Sequence, residues 1–509
     1  MTTAVQLDGI TKRFPGVLAN DDVDLTVEQG TVHALLGENG AGKTTLMNIL
    51  YGLYEPTDGR IVVDGDERSF ESPRAAIDAG IGMIHQHFML VEPMTVAENV
   101  TLGAEPRKWG GLAVDADAAV REVAALSEQY GLDVDPTAPV ETLSVGVQQR
   151  TEILKALYRG ADVLILDEPT AVLTPQEVEE LLSIFDHLTD QGKTIIFITH
   201  KLGEAMAAAD DITVLRDGQT IGSIAADDTS REALAEMMVG REVLLEIERP
   251  PVETGSTLLT VKNVSTPSQR GVPAVSDVSF SAHAGEIFGI AGVDGNGQRE
   301  LIELLTGLST PASGSIVFDG EVITHASRRE RIERGIAYVP EDRHAQGLVM
   351  PFDLVENGLL GNQRTSSFAN AGRIDWAACK EHASSIIEEY DVRPPNPSAS
   401  AESLSGGNQQ KFIVGRELAR DPTLLIATHP TRGVDIGSTE FIHEQLLALR
   451  EAGVAVVLVS SKLDEVRGLS DRMAVMHDGM FVDTVDPDAV TEEELGLLMA
   501  GEHPTGGEQ

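Results

Sequence analysis

Cysteine is all but absent from this chain of 509 residues: Cys379 is the only one. No disulfide can form within the chain, and no His/Asn partners mark Cys379 as a nucleophile, so a structural role is expected for it. Long apolar runs are also missing. None reaches the roughly 18 residues that suggest a membrane-spanning helix. The start, MTTAVQLDGITKRF, has no long apolar stretch, which predicts no secretory signal. Aromatics are scarce at 4%, although hydrophobic residues at 42% are ample for buried cores. Basic residues are few. There are 38 Lys+Arg against 81 Asp+Glu, a formal net charge of -43, and Lys is the minor base beside Arg. Such a balance argues against non-specific nucleic-acid binding.

The chain repeats itself. NDDVDLTVEQGTVHALLGENGAGKTTLMNILYGL (20–53) recurs as VSDVSFSAHAGEIFGIAGVDGNGQRELIELLTGL (275–308), an offset of 255. LSVGVQQR (143–150) recurs as LSGGNQQK (404–411), an offset of 261, and MMVGR (237–241) as LLMAG (497–501). Two offsets predict one short insertion between the glycine-rich loop and the LSxG segment of the second copy. The period is far too long for a solenoid and indicates a duplicated domain. Its boundary is expected at the Pro-rich acidic stretch IERPPVETGST. The expected organisation is a first domain at 1–245, a linker at 246–256, a second domain at 257–502 and a loose tail at 503–509. Short apolar runs such as TVHALL, DVLILD and TIIFIT suit strands buried on both faces. Helical patterns such as PQEVEELLSIFDHL alternate with them, which predicts an α/β layer architecture.

The run Gly37-Glu38-Asn39-Gly40-Ala41-Gly42-Lys43-Thr44-Thr45 fits G-x-x-x-x-G-K-[ST]. It follows a predicted strand and opens a predicted helix, the context that a phosphate-binding loop requires. Its glycines let backbone N–H groups curl toward phosphates. Lys43 adds a point charge near the β- and γ-phosphates, and Thr44 offers a hydroxyl to Mg²⁺. About 120 residues on, ADVLILDEPT is an apolar strand ending in two carboxylates. Asp167 can hold the Mg²⁺ shell, and Glu168 can polarise an attacking water.

LSVGVQQR and LSGGNQQK, together with the phosphate loop, resemble the signature of ATP-binding cassette (ABC) proteins. The resemblance covers nearly the whole chain, with motifs in the expected order in both halves. It implies two tandem α/β nucleotide-binding domains, each a P-loop core with a helical subdomain and an antiparallel β subdomain. ATP and Mg²⁺ are the implied cofactors. Gln86 is implied to coordinate Mg²⁺ and link nucleotide to a transporter partner. Phe14 is implied to stack on adenine, and His200 to act as a switch contacting the γ-phosphate. His85 and His87 flank Gln86 without the further ligands a metal site needs. Two cassettes of this family pair head to tail. Ser405, Gly406, Gly407 and Gln409 of the second signature are then expected at the nucleotide held by the first phosphate loop.

The copies are unequal. Lys43 matches Gln298, Thr44 matches Arg299, Asp167 matches Thr428, Glu168 matches His429, His200 matches Ser461 and Gln86 matches Glu341. The second half thus lacks the phosphate lysine, the metal hydroxyl, both carboxylates and the histidine. The signatures show the reverse bias. Val145 interrupts the first as LSVG, while the second keeps LSGG. One hydrolytic site is expected, with catalysis assigned to Glu168, His200 and Lys43 and metal binding to Thr44, Gln86 and Asp167. The first domain alone should hydrolyse ATP poorly.

The segments TAVLTPQE and PTRGVD resemble the ATP-binding subunits of simple-sugar and nucleoside importers. GVDGNGQRE, YVPEDRHAQGLV and GLLMAG lean toward the nucleoside branch. Ribose- and galactose-type relatives generally keep LDEPTRGVD where this chain has ATHPTRGVD. The resemblance implies two transmembrane permease subunits, an extracellular solute-binding lipoprotein and a place at the cytoplasmic face of the membrane. The dispersed acids, as in DADAA, EEYD and DPDAVTEEEL, resemble those of halophilic archaeal proteins, whose salt shortens the Debye length to about 3 Å at 1 M. ABC-type translation factors carry two intact sites and a long charged helical linker, and DNA-repair relatives carry zinc or coiled-coil insertions. This sequence has neither set of features.

Overall fold

Strands Val32–Leu36, Val163–Asp167 and Thr194–Thr199 are buried at every position. They are the near-continuous apolar runs of a parallel sheet covered on both faces. In the computed structural model the described residues are 2–86, 88–108, 113–170, 173, 175–241, 247, 249–267, 273–293, 295–370 and 373–502. The chain divides into two units, Met1–Val243 and Leu244–Gln509.

In the first unit a six-stranded sheet runs in the order Gln219–Ala225, Asp211–Arg216, Val32–Leu36, Thr194–Thr199, Val163–Asp167, Ile81–Ile84. All pairings are parallel except that of the edge strand Gln219–Ala225. A second, antiparallel sheet orders Val17–Glu28, Thr3–Phe14, Asp58–Val63 and Asp66–Arg68. Helix Lys43–Leu50 buries Leu46, Met47, Ile49 and Leu50 in a core shared with both sheets. Burying these side chains, at about 25 cal/mol per Å² of apolar surface, holds the start of that helix against the strand ends. Helices Val96–Thr101, Ala116–Gln129 and Val145–Tyr158 pack on one another as a helical subdomain.

The second unit repeats this plan. Its six-stranded sheet runs Ile336–Val339, Leu424–Thr428, Ala455–Val459, Ile287–Ala291, Arg472–His477, Met480–Val485, with only the last pairing antiparallel. An antiparallel sheet of Val278–His283, Thr257–Ser265, Ser313–Phe318 and Glu321–Val322 accompanies it. The single insertion expected in this copy is instead two insertions of three residues. Asn99 and Asn357 hold equivalent loops, each side-chain amide donating back to Val91 O or Val349 O at 3.1 Å, and they lie 258 apart.

Part of the stretch expected as a linker is fastened to the second unit. Arg450 Nη1 donates to Pro250 O at 2.7 Å, and Arg249 bonds Ser470 O and Asp488. The expected tail, 503–509, lies outside the described residues. Among the described residues no helix is long and apolar enough to cross a membrane.

Candidate active site

The phosphate loop leaves strand Val32–Leu36 and enters helix Lys43–Leu50. Two of its glycines are sterically required. A Cβ at Gly37 would lie 2.3 Å from Leu215 O, and one at Gly42, where φ is 96°, would lie 2.4 Å from Ala19 O. Gly40 also has a positive φ, and Ala41 N closes the curl on Glu38 O at 3.2 Å. No side chain caps the helix at Gly42. Its first-turn N–H groups are therefore turned outward with the positive end of the helix dipole, a seat for an anion. Lys43 is buried, and its ammonium donates to Gly37 O at 2.6 Å and Glu38 O at 2.8 Å. The loop's own carbonyls thus hold the charge at its mouth. Asn39 and Thr45 are half-buried in the same loop and first turn.

Strand Val163–Asp167 brings two carboxylates to this loop. Asp167 is buried, and Thr44 Oγ1 donates to its Oδ1 at 3.4 Å. Burial, with the neighbouring charge of Glu168 second, pushes Asp167 up to about 6. Glu168 moves the other way, below the usual range, chiefly through its hydrogen bond with His200. Adjacent carboxyl groups driven apart in this manner take different chemical roles. Glu168 has φ 46°, and its N–H donates to Ile198 O of the neighbouring strand at 3.1 Å. That turn aims the side chain between two partners. His200 Nδ1 lies 3.1 Å from Oε1, and Gln86 Nε2 donates to Oε2 at 3.0 Å. An ionised carboxylate only accepts, so Nδ1 carries the ring proton. Lys43, Thr44, Gln86, Asp167, Glu168 and His200 thus converge in one unit. Phe14 closes strand Thr3–Phe14. Its ring stands edge-on to Tyr54 with centroids 5.4 Å apart, and Lys12 Nζ is 5.2 Å from its centroid. His87 lies outside the described residues. His85 stands edge-on to Tyr51 at 6.0 Å.

Glu204 was not singled out by the sequence reading. Its carboxylate accepts from Thr170 Oγ1 at 2.6 Å and from Thr199 Oγ1 at 3.3 Å, while Lys201 Nζ donates to its other oxygen at 2.8 Å. It joins the turn after Glu168 to the strand end before His200. The signal was present as a repeat: T-H-K-L-G-E in one half and S-S-K-L-D-E in the other. Glu465 sits equivalently, accepting from Thr431 Oγ1 at 2.7 Å. Beside Gln86, a cavity of about 240 Å³ is lined by Tyr51, Met83, His85, Met89, Leu102 and Lys155 among others.

The second unit keeps the shape and replaces the reagents. Gln298 Nε2 donates to Val293 O at 3.1 Å, a neutral stand-in for the lysine. Arg299 is exposed and pairs with Glu303 at 3.4 Å. His429 takes the place of Glu168, and its Nδ1 accepts from Ser461 N at 3.2 Å. An ion pair between Arg432 and Glu341 replaces the Gln86–Glu168 bond.

The signatures differ too. In the second unit Ser405 caps helix Gly406–Leu418, its Oγ accepting from Asn408 N at 3.5 Å and also from Asn408 Nδ2 at 2.9 Å. A Cβ at Gly407 would meet Ser438 Oγ at 2.3 Å. Gln409 was expected at nucleotide, but its side-chain amide is engaged inside this unit. Nε2 donates to Ala401 O at 3.0 Å and Leu404 O at 3.2 Å, and Oε1 lies 3.0 Å from His344 Nε2. In the first unit Val145 is exposed at the head of helix Val145–Tyr158. There Glu177 Oε1 accepts from Gly146 N at 3.3 Å and Ser144 Oγ at 3.5 Å, placing a carboxylate on the signature itself.

The model of the ABC transporter family matches residues 20–171 and 275–432, one stretch in each unit. The chain belongs to the ABC transporter family. As an ABC protein it binds ATP, and the duplicated topology is that of two cassettes. It is 50% identical over 501 residues to the guanosine import ATP-binding protein NupO of Bacillus subtilis (strain 168), with 98% of each chain covered. It is 48% identical over 499 residues to the nucleoside import ATP-binding protein NupA of Lactococcus lactis subsp. cremoris (strain MG1363), again covering 98% of each. The glucose import ATP-binding protein TsgD13 of Haloferax volcanii is 46% identical over 525 residues, covering 98% of this chain and 96% of that one.

Proposed function

We propose that this ABC ATPase drives import of nucleosides through partner permeases and hydrolyses ATP with the reagents of its first cassette only. The observation that carries the hydrolytic assignment is Glu168, aimed between His200 and Gln86 in the first unit and replaced by His429 in the second. ATP phosphates seat on the open N-terminus of helix Lys43–Leu50, with the Lys43 ammonium beside them. Glu168, kept ionised by His200, accepts a proton from the attacking water, and His200 holds the carboxylate in place. The hydroxyl of Thr44, the carboxylate of Asp167 and the amide of Gln86 form an oxygen donor set that suits Mg²⁺. When bound, the ion neutralises phosphate charge. Phe14 packs against the adenine. Ser405, Gly406 and Gly407, the intact signature of the second cassette, are assigned to nucleotide as well.

Two permease subunits supply the membrane path, and a solute-binding lipoprotein delivers the solute. The cavity beside Gln86, with Met89 and Leu102 in its wall, offers a partly apolar seat for a permease segment at the cytoplasmic face of the membrane. Closure on ATP and reopening after hydrolysis then gate the permease. Nucleosides are favoured by the two nucleoside-importing relatives at 50% and 48% identity. A monosaccharide is the second reading, favoured by the glucose-importing relative at 46%. The test is uptake by the full chain with its permeases and solute-binding protein at high salt. Guanosine and other nucleosides should be taken up with ATP consumption. Uptake of glucose or ribose alone would transfer the assignment to the second reading.

A further inference from the structure

The three residues added to the second unit ahead of Asn357 go with a turn that has no counterpart among the described residues of the first unit. Asp342 Oδ1 accepts from His344 N and Ala345 N, each at 2.9 Å, and the turn Arg343–Gly347 follows. A π-type turn of this kind often marks a functional position. It begins two residues after Glu341, the counterpart of Gln86.

The turn grips the signature helix at three levels. Arg343 Nη1 donates to Arg432 O at 2.9 Å and its Nη2 to Gly433 O at 3.4 Å. The same guanidinium lies against Gly406, where a Cβ would come within 2.8 Å of Nη2. His344 Nε2 lies 3.0 Å from Gln409 Oε1 one turn on, and Arg416 Nη1 donates to Gly347 O at 2.8 Å further along. The first unit is built differently. Among the described residues its corresponding loop meets its helix through Met89 N to Glu152 Oε1 at 2.7 Å and Lys155 Nζ to Met89 O at 3.2 Å, about two turns past the signature. There Val145 stands where Gly406 does, and the described residues bring no arginine to it.

We propose that Arg343 is a positioning residue for hydrolysis, fixing the Ser405–Gly407 signature against the Arg432–Gly433 turn. This rests on the proposed function, in which that signature serves nucleotide. A planar guanidinium can fork to two successive carbonyls and still fill the space left by a missing Cβ, whereas an ammonium cannot do both. The intact glycine of the second signature therefore leaves room for the Arg343 guanidinium beside Gly433 O. Misplacing a phosphate-facing backbone by about 1 Å costs on the order of 100-fold in rate.

The test uses the full chain with its permeases in membranes. Arg343→Ala should lower kcat by about tenfold or more, with KM for ATP, nucleotide binding and melting temperature close to wild type. Arg343→Lys should recover only part of kcat. Gly406→Ala should be less harmful in the Arg343→Ala background than alone, because its nearest steric partner is gone and only Gly433 O, at 3.1 Å, still crowds the new Cβ. A kcat for Arg343→Ala within twofold of wild type overturns the proposal. So does a loss matched by weaker nucleotide binding or a lower melting temperature, and so do additive effects of the two substitutions. Glu168→Gln is measured alongside. Turnover in that variant would instead refute the proposed function, independently of the Arg343 results.

Discussion

Glu168 is bonded to two side chains from different elements, His200 at 3.1 Å and Gln86 at 3.0 Å. His200 follows the adjacent strand, and Gln86 lies in the loop beside the 240 Å³ cavity. A shift of that loop must therefore reach the Glu168 carboxylate.

Glu168→Gln keeps the size of the side chain and removes its basicity. Steady-state phosphate release should fall by about 10²–10⁴-fold, while ATP binding measured without turnover is retained. Appreciable steady-state ATPase in this variant would sink the assignment of Glu168.

Lys43 and Gln298 occupy matching places but carry different charge. Lys43→Ala removes an ammonium held at the loop's mouth and should abolish both tight ATP binding and turnover. Gln298→Ala removes a neutral amide bonded to Val293 O and should change turnover by less than about twofold. Equal losses in the two variants would contradict hydrolysis at a single site.

Asp167 links pH to stability in the metal- and nucleotide-free protein. Its carboxyl is raised to about 6 from an ordinary value of 3.8. The folded chain then binds the proton more tightly than the unfolded chain, so stability is lost as pH rises from about 4 through 6. Asp167→Asn should raise the melting temperature at pH 7.5, by an amount on the order of 1–3 kcal/mol in stability. The gain should shrink below pH 6 and vanish near pH 4. A variant that melts no higher than wild type at pH 7.5 would refute the burial cost.

Much of this site was legible in the sequence because its chemistry is local. The glycines, Lys43 and Thr44 are contiguous, and Asp167 and Glu168 end one apolar strand, so pattern and spacing sufficed. The duplication supplied the rest of the fold, since each copy could be checked against the other. What escaped notice depends on side chains that meet across elements. Glu204 joins residues 170 and 199 only because two parallel strands end side by side. Gln409 lies in the signature, and its helical register turns the amide inward to Ala401 and Leu404. The division of the insertion became visible only when Asn99 and Asn357 were seen to close equivalent loops.

Glu168 has φ 46° and His429, its counterpart, has φ 45°. A left-handed backbone is costly for any side chain but glycine, yet it survives where no carboxylate remains to be aimed. Gly42 and Gly297 show the same persistence, at φ 96° and 104°. The bends thus belong to the architecture of strand-to-loop junctions rather than to hydrolysis. Divergence between the copies replaced the side chains and spared the mould, so the second half still offers a ready-shaped place for a carboxylate, one side-chain exchange away at His429.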